Sequence, residues 1–181
     1  LVELDSTGTN IIWQNNLGGT ASESCESIQQ TNDGGFILCG RTSSNDGDVS
    51  GLHCWNPPCP FGGIPDIWVA KTDNLGNLQK QRCLGGTDDE NAYDIQQTFD
   101  GGYVVVGSTN SNDSDVIGNH LPLGTEDIWV VKLDTSLNIQ WQKCLGGSGL
   151  EEGFSIKQTP DSGFIISGFT FVSNDGDVSG S

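Results

Sequence analysis

Apolar residues in this chain fall in short β-branched and aromatic runs, such as IWVA at 67–70, YVVV at 103–106, IWVV at 128–131 and FII at 164–166. Between them lie stretches rich in Gly, Asn, Asp and Ser. Short runs bounded by turn residues are the pattern of strands, and apolar side chains at consecutive positions predict strands covered on both faces. Gly at 26 of 181 residues, the absence of Met and the scarcity of Lys and Arg point the same way, toward turn-rich β structure with almost no helix. Every apolar run is far shorter than the ~20 residues that span a bilayer as a helix.

The runs belong to a repeat. Leu-Gly-Gly at 17–19 recurs at 84–86 and 145–147, spacings of 67 and 61 residues. Around each copy the features keep one order: an Asp-Ile-Trp-Val strand, a Trp-Gln or Lys-Gln segment, Leu-Gly-Gly, an Ile-x-Gln-Thr strand, a turn, an aromatic-led apolar strand and a polar Asn-Asp-x-Asp loop. The turns carry Asp33-Gly34 and Asp100-Gly101, where glycine supplies the positive φ that a tight hairpin needs. Each repeat therefore predicts about four short antiparallel strands, the signature of one β-propeller blade, with expected divisions at 1–65, 66–126 and 127–181. The recurring aromatics Trp13, Trp68, Trp129, Trp141, Phe36, Tyr103 and Phe164 are expected to pack between blades. Propellers typically close with four to eight blades, so three repeats imply part of a larger all-β propeller or an assembly of chains, a threefold β-prism or trefoil being the alternative. The chain opens on Leu1-Val2 without a signal peptide and reads as a mature product or an excised stretch.

Charge narrows the partners. Asp and Glu number 24 against 7 Lys and Arg, a net charge of −17 that repels nucleic acid and anionic membrane. The most specific candidate chemistry is the polar loop: Asp46, Asp48 and Ser50, then Asp113 and Asp115, then Asp175, Asp177 and Ser179. Oxygen ligands two residues apart followed by Gly reproduce the first half of a calcium loop, so calcium is the expected cofactor if one is held. The later carboxylate of that motif is missing and Ile117 removes an oxygen from the middle copy, so an Asx-stabilised turn without metal is the competing reading. Cys54 and Cys59 flank a Pro-stiffened loop that a disulfide closes in an oxidising compartment, and Trp55 within it is a possible sugar-stacking residue. Cys25, Cys39, Cys83 and Cys144 lie in strand-like segments, where buried thiols are expected. His53 and His120 sit in inter-strand connectors, where bracing a loop is the simplest role. No nucleophile elbow, paired-His motif or phosphate-cradling loop occurs, and no catalytic residues are expected.

DIWVVKLD at 127–134, WQKCLGG at 141–147, SIQQTNDGGF at 27–36 and SNDGDVSG at 44–51 resemble the repeats of secreted bacterial β-propeller proteins, common in surface and adhesin-like proteins. The likeness covers nearly the whole chain and departs from the pattern at the Cys54 to Cys59 insertion and at Lys80, which replaces a Trp. It implies a non-enzymatic structural or adhesive module, secreted or on the cell surface. Its partners would be further blades or other copies of the protein, or a surface glycan or protein. A glycan-binding propeller is the alternative, and a hydrolase with its site at the central channel is a third reading.

Overall fold

The computed structural model describes residues 1–54, 63–120, 125–171 and 174–179. Among these residues the chain forms twelve strands and no helix. β1 (Val2–Leu4) and β2 (Ile11–Gln14) make a two-stranded sheet. β3 (Glu23–Gln30), β4 (Phe36–Thr42), β5 (Asp66–Thr72) and β6 (Leu78–Leu84) make a four-stranded one, called here the second sheet. β7 (Glu90–Gln97), β8 (Tyr103–Thr109), β9 (Asp127–Leu133) and β10 (Ile139–Leu145) repeat that arrangement as the third sheet. β11 (Leu150–Gln158) and β12 (Phe164–Phe171) form a last pair. All pairings are antiparallel between consecutive strands.

The sheets correct the expected repeat divisions. β4 pairs with β5 from Phe36↔Thr72 to Thr42↔Asp66, and β8 pairs with β9 from Tyr103↔Leu133 to Thr109↔Asp127. Divisions at 65/66 and 126/127 would cut both four-stranded sheets through the middle. The structural unit instead runs from one Leu-Gly-Gly to the next.

Side-chain alternation explains how both faces of a strand are buried. On β5, Ile67 and Val69 point into one cluster with Ile37 and Cys39, while Trp68 and Ala70 point the opposite way with Leu38, Val49 and Cys83. The first cluster continues into the third sheet through Ile95, Tyr103, Val105, Trp129 and Val131, so it is the core between the two large sheets. The second takes up Leu1 and Leu17 from the first sheet's side, and a third joins Val104, Val106 and Val130 to Ile156, Phe164 and Ile166 of the last pair. The sheets thus stack face to face in chain order. Trp13 of β2 packs on Phe36 of β4 at 6.0 Å between ring centroids, and Trp141 of β10 on Phe164 of β12 at 5.6 Å, which is the inter-sheet role expected of the aromatics.

The first strand of each unit is bulged, between Cys25 and Ser27, Ala92 and Asp94, and Gly153 and Ser155. Opposite each bulge stands a glycine, Gly40, Gly107 or Gly168, whose Cβ would overlap the carbonyl oxygen of Ser24, Asn91 or Glu152. The bulge brings the neighbouring backbone too close for any side chain.

Candidate functional site

The polar residues of the repeat are gathered at the stacked sheets' edges in four kinds of contact, each appearing at least twice. The first is a glutamate clamp. Glu23, Glu90 and Glu151 accept a hydrogen bond on Oε2 from the backbone N–H of Gly19, Gly86 and Gly147 at 3.0, 2.9 and 3.0 Å. On Oε1 they accept from the hydroxyls of Thr42, Thr109 and Thr170 at 2.9, 2.7 and 3.0 Å. Leu-Gly-Gly is therefore an anchor point for the strand that follows it. Burial pushes the Glu90 carboxyl up to about 7, against the pull of its hydrogen bonds from Ser111, Gly86 and Thr109.

The acidic loops close on the same anchor. Asp46 accepts from Thr20 N at 2.8 Å and from its hydroxyl at 2.7 Å, and Asp113 repeats this with Thr87 at 2.9 and 2.8 Å. Asp175 accepts from Ser148 N at 2.7 Å. The amides of Asp48, Asp115 and Asp177 bond the carbonyls of Gly18, Gly85 and Gly146, and Asp48 Oδ2 accepts from Gly18 N at 3.1 Å. The turn residue is left-handed in all three loops: Gly47 at φ 63°, Ser114 at 55° and Gly176 at 61°. Asp46 is held below the usual carboxylate range, first by the Thr20 hydroxyl and then by the Thr20 amide. These bonds account for the Asp-x-Asp spacing as an Asx-type staple between loop and anchor. Ser50 Oγ accepts from Gln81 Nε2 at 2.6 Å, so it too is engaged by the protein. Among the described residues no three His, Cys, Asp or Glu side chains converge as a metal-ligand group. Ser179 lies in the third loop, exposed. Cys59 and Trp55 fall outside the described residues, and with them the expected bridge and the sugar-stacking position.

The third contact is a buried lysine that sequence reasoning missed. Lys71 Nζ reaches Thr72 O at 2.7 Å, Asp33 Oδ1 at 3.1 Å and Gln79 Oε1 at 3.4 Å. Lys132 does the same with Leu133 O at 3.0 Å, Asp100 at 3.1 Å and Gln140 at 3.0 Å. Thr31 and Lys71 hold Asp33, and Thr98 and Lys132 hold Asp100, each at about 2. The lysine thus ties the β3–β4 or β7–β8 turn to the β5–β6 or β9–β10 ends beside it.

The fourth is a histidine bridge. His53 offers its backbone N–H at 2.9 Å and ring Nδ1 at 2.6 Å to one oxygen of Asp66, a side chain with no solvent exposure. His120 and Asp127 repeat this at 2.9 and 2.7 Å. The expected loop-bracing role is what the geometry provides.

Between the first strands of successive units runs a ladder of glutamines. Gln97 N donates to Gln29 Oε1 at 2.6 Å and Asn32 N to Gln97 Oε1 at 2.9 Å; Gln158 N donates to Gln96 Oε1 and Phe99 N to Gln158 Oε1 at 2.9 and 2.8 Å. Gln97 and Gln158 of the Ile-x-Gln-Thr motif, with Gln29 and Gln96 at its x position, supply these rungs. Asp94 stands where the neighbouring copies have Ser27 and Ser155, and it accepts from both hydroxyls, at 3.0 and 2.9 Å, and from Ile156 N at 3.0 Å. Partial burial works against its charge, but those three donors and Lys157 keep the carboxyl below its ordinary value.

Cys39, Cys83 and Cys144 are buried free thiols, and burial raises them, the latter two to about 12, which leaves them unreactive as thiolates. Cys25, by contrast, is exposed, against the expectation of burial.

No protein-family model matches the chain. Among curated proteins it is similar to the regulatory protein FlaEY of Caulobacter vibrioides, 25% identical over 151 residues. That alignment takes in 80% of this chain and 15% of the relative, so the chain corresponds to a small part of the protein it matches.

Proposed function

We propose that the chain is a run of β-propeller blades that serves as a rigid, non-enzymatic structural or adhesive module of a secreted or cell-surface protein. The observation that carries this reading is the assignment of the repeat's polar side chains. Clamp glutamates, loop aspartates, lysines, histidines and glutamines are spent on holding strands, turns and neighbouring sheets. A scaffold needs that, whereas a catalytic centre would hold a charged group ready for a substrate. The face-to-face stacking of equivalent four-stranded sheets supports the blade reading. The paired strands β1 and β2 are the sequence counterparts of β5–β6 and β9–β10, and β11–β12 those of β3–β4 and β7–β8. Each is half a blade, and the partners that fit are further blades or another copy of the chain. Acidic composition and the likeness to secreted repeats support an extracellular setting.

Electron cryo-microscopy of the intact parent protein tests the fold reading: a closed ring of four-stranded blades is expected, and stacked sheets without closure would overturn it. Adhesion is tested by binding of the chain to cell surfaces and to a glycan array. Binding to cells without glycan selectivity supports the adhesive module, selective glycan binding would replace it with the lectin reading, and hydrolysis of an arrayed glycan would overturn both.

A further inference from the structure

We infer that the His53 bridge forms a pH-sensitive clasp between the second and third sheets, closed when its imidazole is protonated and loosened when it is not. The argument rests on what each ring nitrogen faces. Nδ1 of His53 points at Asp66 on β5 of the second sheet, and Nε2 points the other way, 3.8 Å from Oδ2 of Asp115 in the loop after β8 of the third sheet. His120 repeats the placement one unit on, with Asp127 of β9 on one side and Asp177, in the loop after β12, at 3.7 Å on the other. Each ring therefore spans from the aspartate of its own sheet to the acidic loop of the next.

A neutral imidazole has one donor and one acceptor. With Nδ1–H committed to Asp66, a neutral His53 would turn its Nε2 lone pair toward a carboxylate. Asp115 Oδ2 is buried and has no hydrogen-bond donor, while Oδ1 takes Arg82 of β6 at 3.4 Å. A proton on Nε2 converts that opposition into an ion pair across the sheet junction. Glu90, at the start of β7, is a further acidic group in the surroundings of His53 and is negative only above about pH 7, and Lys143 of β10, 3.8 Å from Asp177, is the cation beside the second bridge. The Asp66 hydrogen bond raises His53 above its ordinary value despite its partial burial. A group raised in the folded state contributes stability that is complete below its unfolded value, near 6.5, and lost as pH climbs through the folded one. The clasp thus tightens in mild acid and slackens toward alkaline pH.

The test uses the whole chain with its imidazoles followed by proton–carbon NMR from about pH 5 to 9, alongside thermal unfolding over the same range. His53 is expected to titrate above the ordinary ~6.5, and Asp115→Asn is expected to lower that midpoint while leaving the fold intact. In the same variant the fall in Tm between pH 6 and 8.5 should shrink. A His53 midpoint at or below ~6.5 in the unmodified chain overturns the inference without any variant. So does an Asp115→Asn chain that titrates and melts in parallel with the parent.

Discussion

Replacing Glu90 with glutamine should invert the sign of a stability difference between acid and alkaline pH. Glu90 is fully buried, and its carboxyl is raised from 4.5 to about 7, chiefly by burial and further by the charge of Asp66. Asp66 Oδ1, itself without a donor, flanks the same Gly85 α-carbon as Glu90 Oε2. The folded state therefore keeps the Glu90 proton where the unfolded chain has released it. The stability this gives is complete below 4.5 and is lost as pH rises toward 7. With about 1.4 kcal/mol per pKa unit, the loss reaches roughly 3 kcal/mol. Glutamine keeps an acceptor for Gly86 N–H, but its amide nitrogen meets Thr109 Oγ1, which already accepts from Ser111 N at 3.0 Å. The Thr109 proton is left without its acceptor, at a cost of about 1 kcal/mol. The Glu90→Gln chain should therefore be about 1 kcal/mol less stable near pH 4 and about 2 kcal/mol more stable near pH 8.5, with the curves crossing near pH 5. In calorimetry that is a Tm lower by about 2–4 °C in acid and higher by about 4–8 °C in alkali. A constant offset at every pH would refute the claim that a buried, proton-holding carboxyl stands at this junction.

Other substitutions probe the remaining contacts. Gly107→Ala drives a methyl into the Asn91 carbonyl and should cost more than about 3 kcal/mol in urea unfolding; a loss below about 1 kcal/mol would mean the bulge is not as tight as described. Thr87→Val keeps the shape of the loop anchor but removes the donor to Asp113 Oδ2, and a loss of about 0.5–1.5 kcal/mol is expected from the same assay. Lys132→Met leaves the Leu133 carbonyl and Asp100 without their shared donor, and should lower stability by about 1–3 kcal/mol. An unchanged midpoint would assign the lysine no structural role.

The strands were legible because their chemistry is local. Consecutive apolar residues at 67–70 and 103–106 require cover on both faces, and the stacked sheets supply it. Asp33-Gly34 and Asp100-Gly101 mark hairpins whose glycines sit at φ 86° and 83°. The phase of the unit was not legible, because a tandem repeat reads the same from any starting strand. It is decided by β4 pairing with β5 across a connector that spans 43–65, and no local signal announces that partner. Lys71 and Lys132 escaped notice because a lysine in a strand ordinarily faces solvent. Their partners, Asp33 and Asp100, lie 38 and 32 residues away. The Gln-Thr motif was visible as a repeat, but its purpose depends on a neighbouring strand 65 or more residues distant for the Gln29 and Asn32 rungs. The acidic loops stand out in the sequence as a repeated Asp-x-Asp pattern. Which donors their oxygens meet depends on the loop folding back over the threonine that follows Leu-Gly-Gly, 26 residues upstream of the aspartate in the first two copies.

Those acidic loops are staples made of protein hydrogen bonds, and the thermal midpoint of the chain in excess EDTA and then in millimolar calcium, with magnesium as the control for screening, is the measurement that checks them. Equal midpoints in EDTA and calcium are the expected result, since Thr20, Thr87 and Ser148 already supply the donors to Asp46, Asp113 and Asp175. A calcium-specific rise of several degrees, absent with magnesium, would contradict the account and make the loops metal sites.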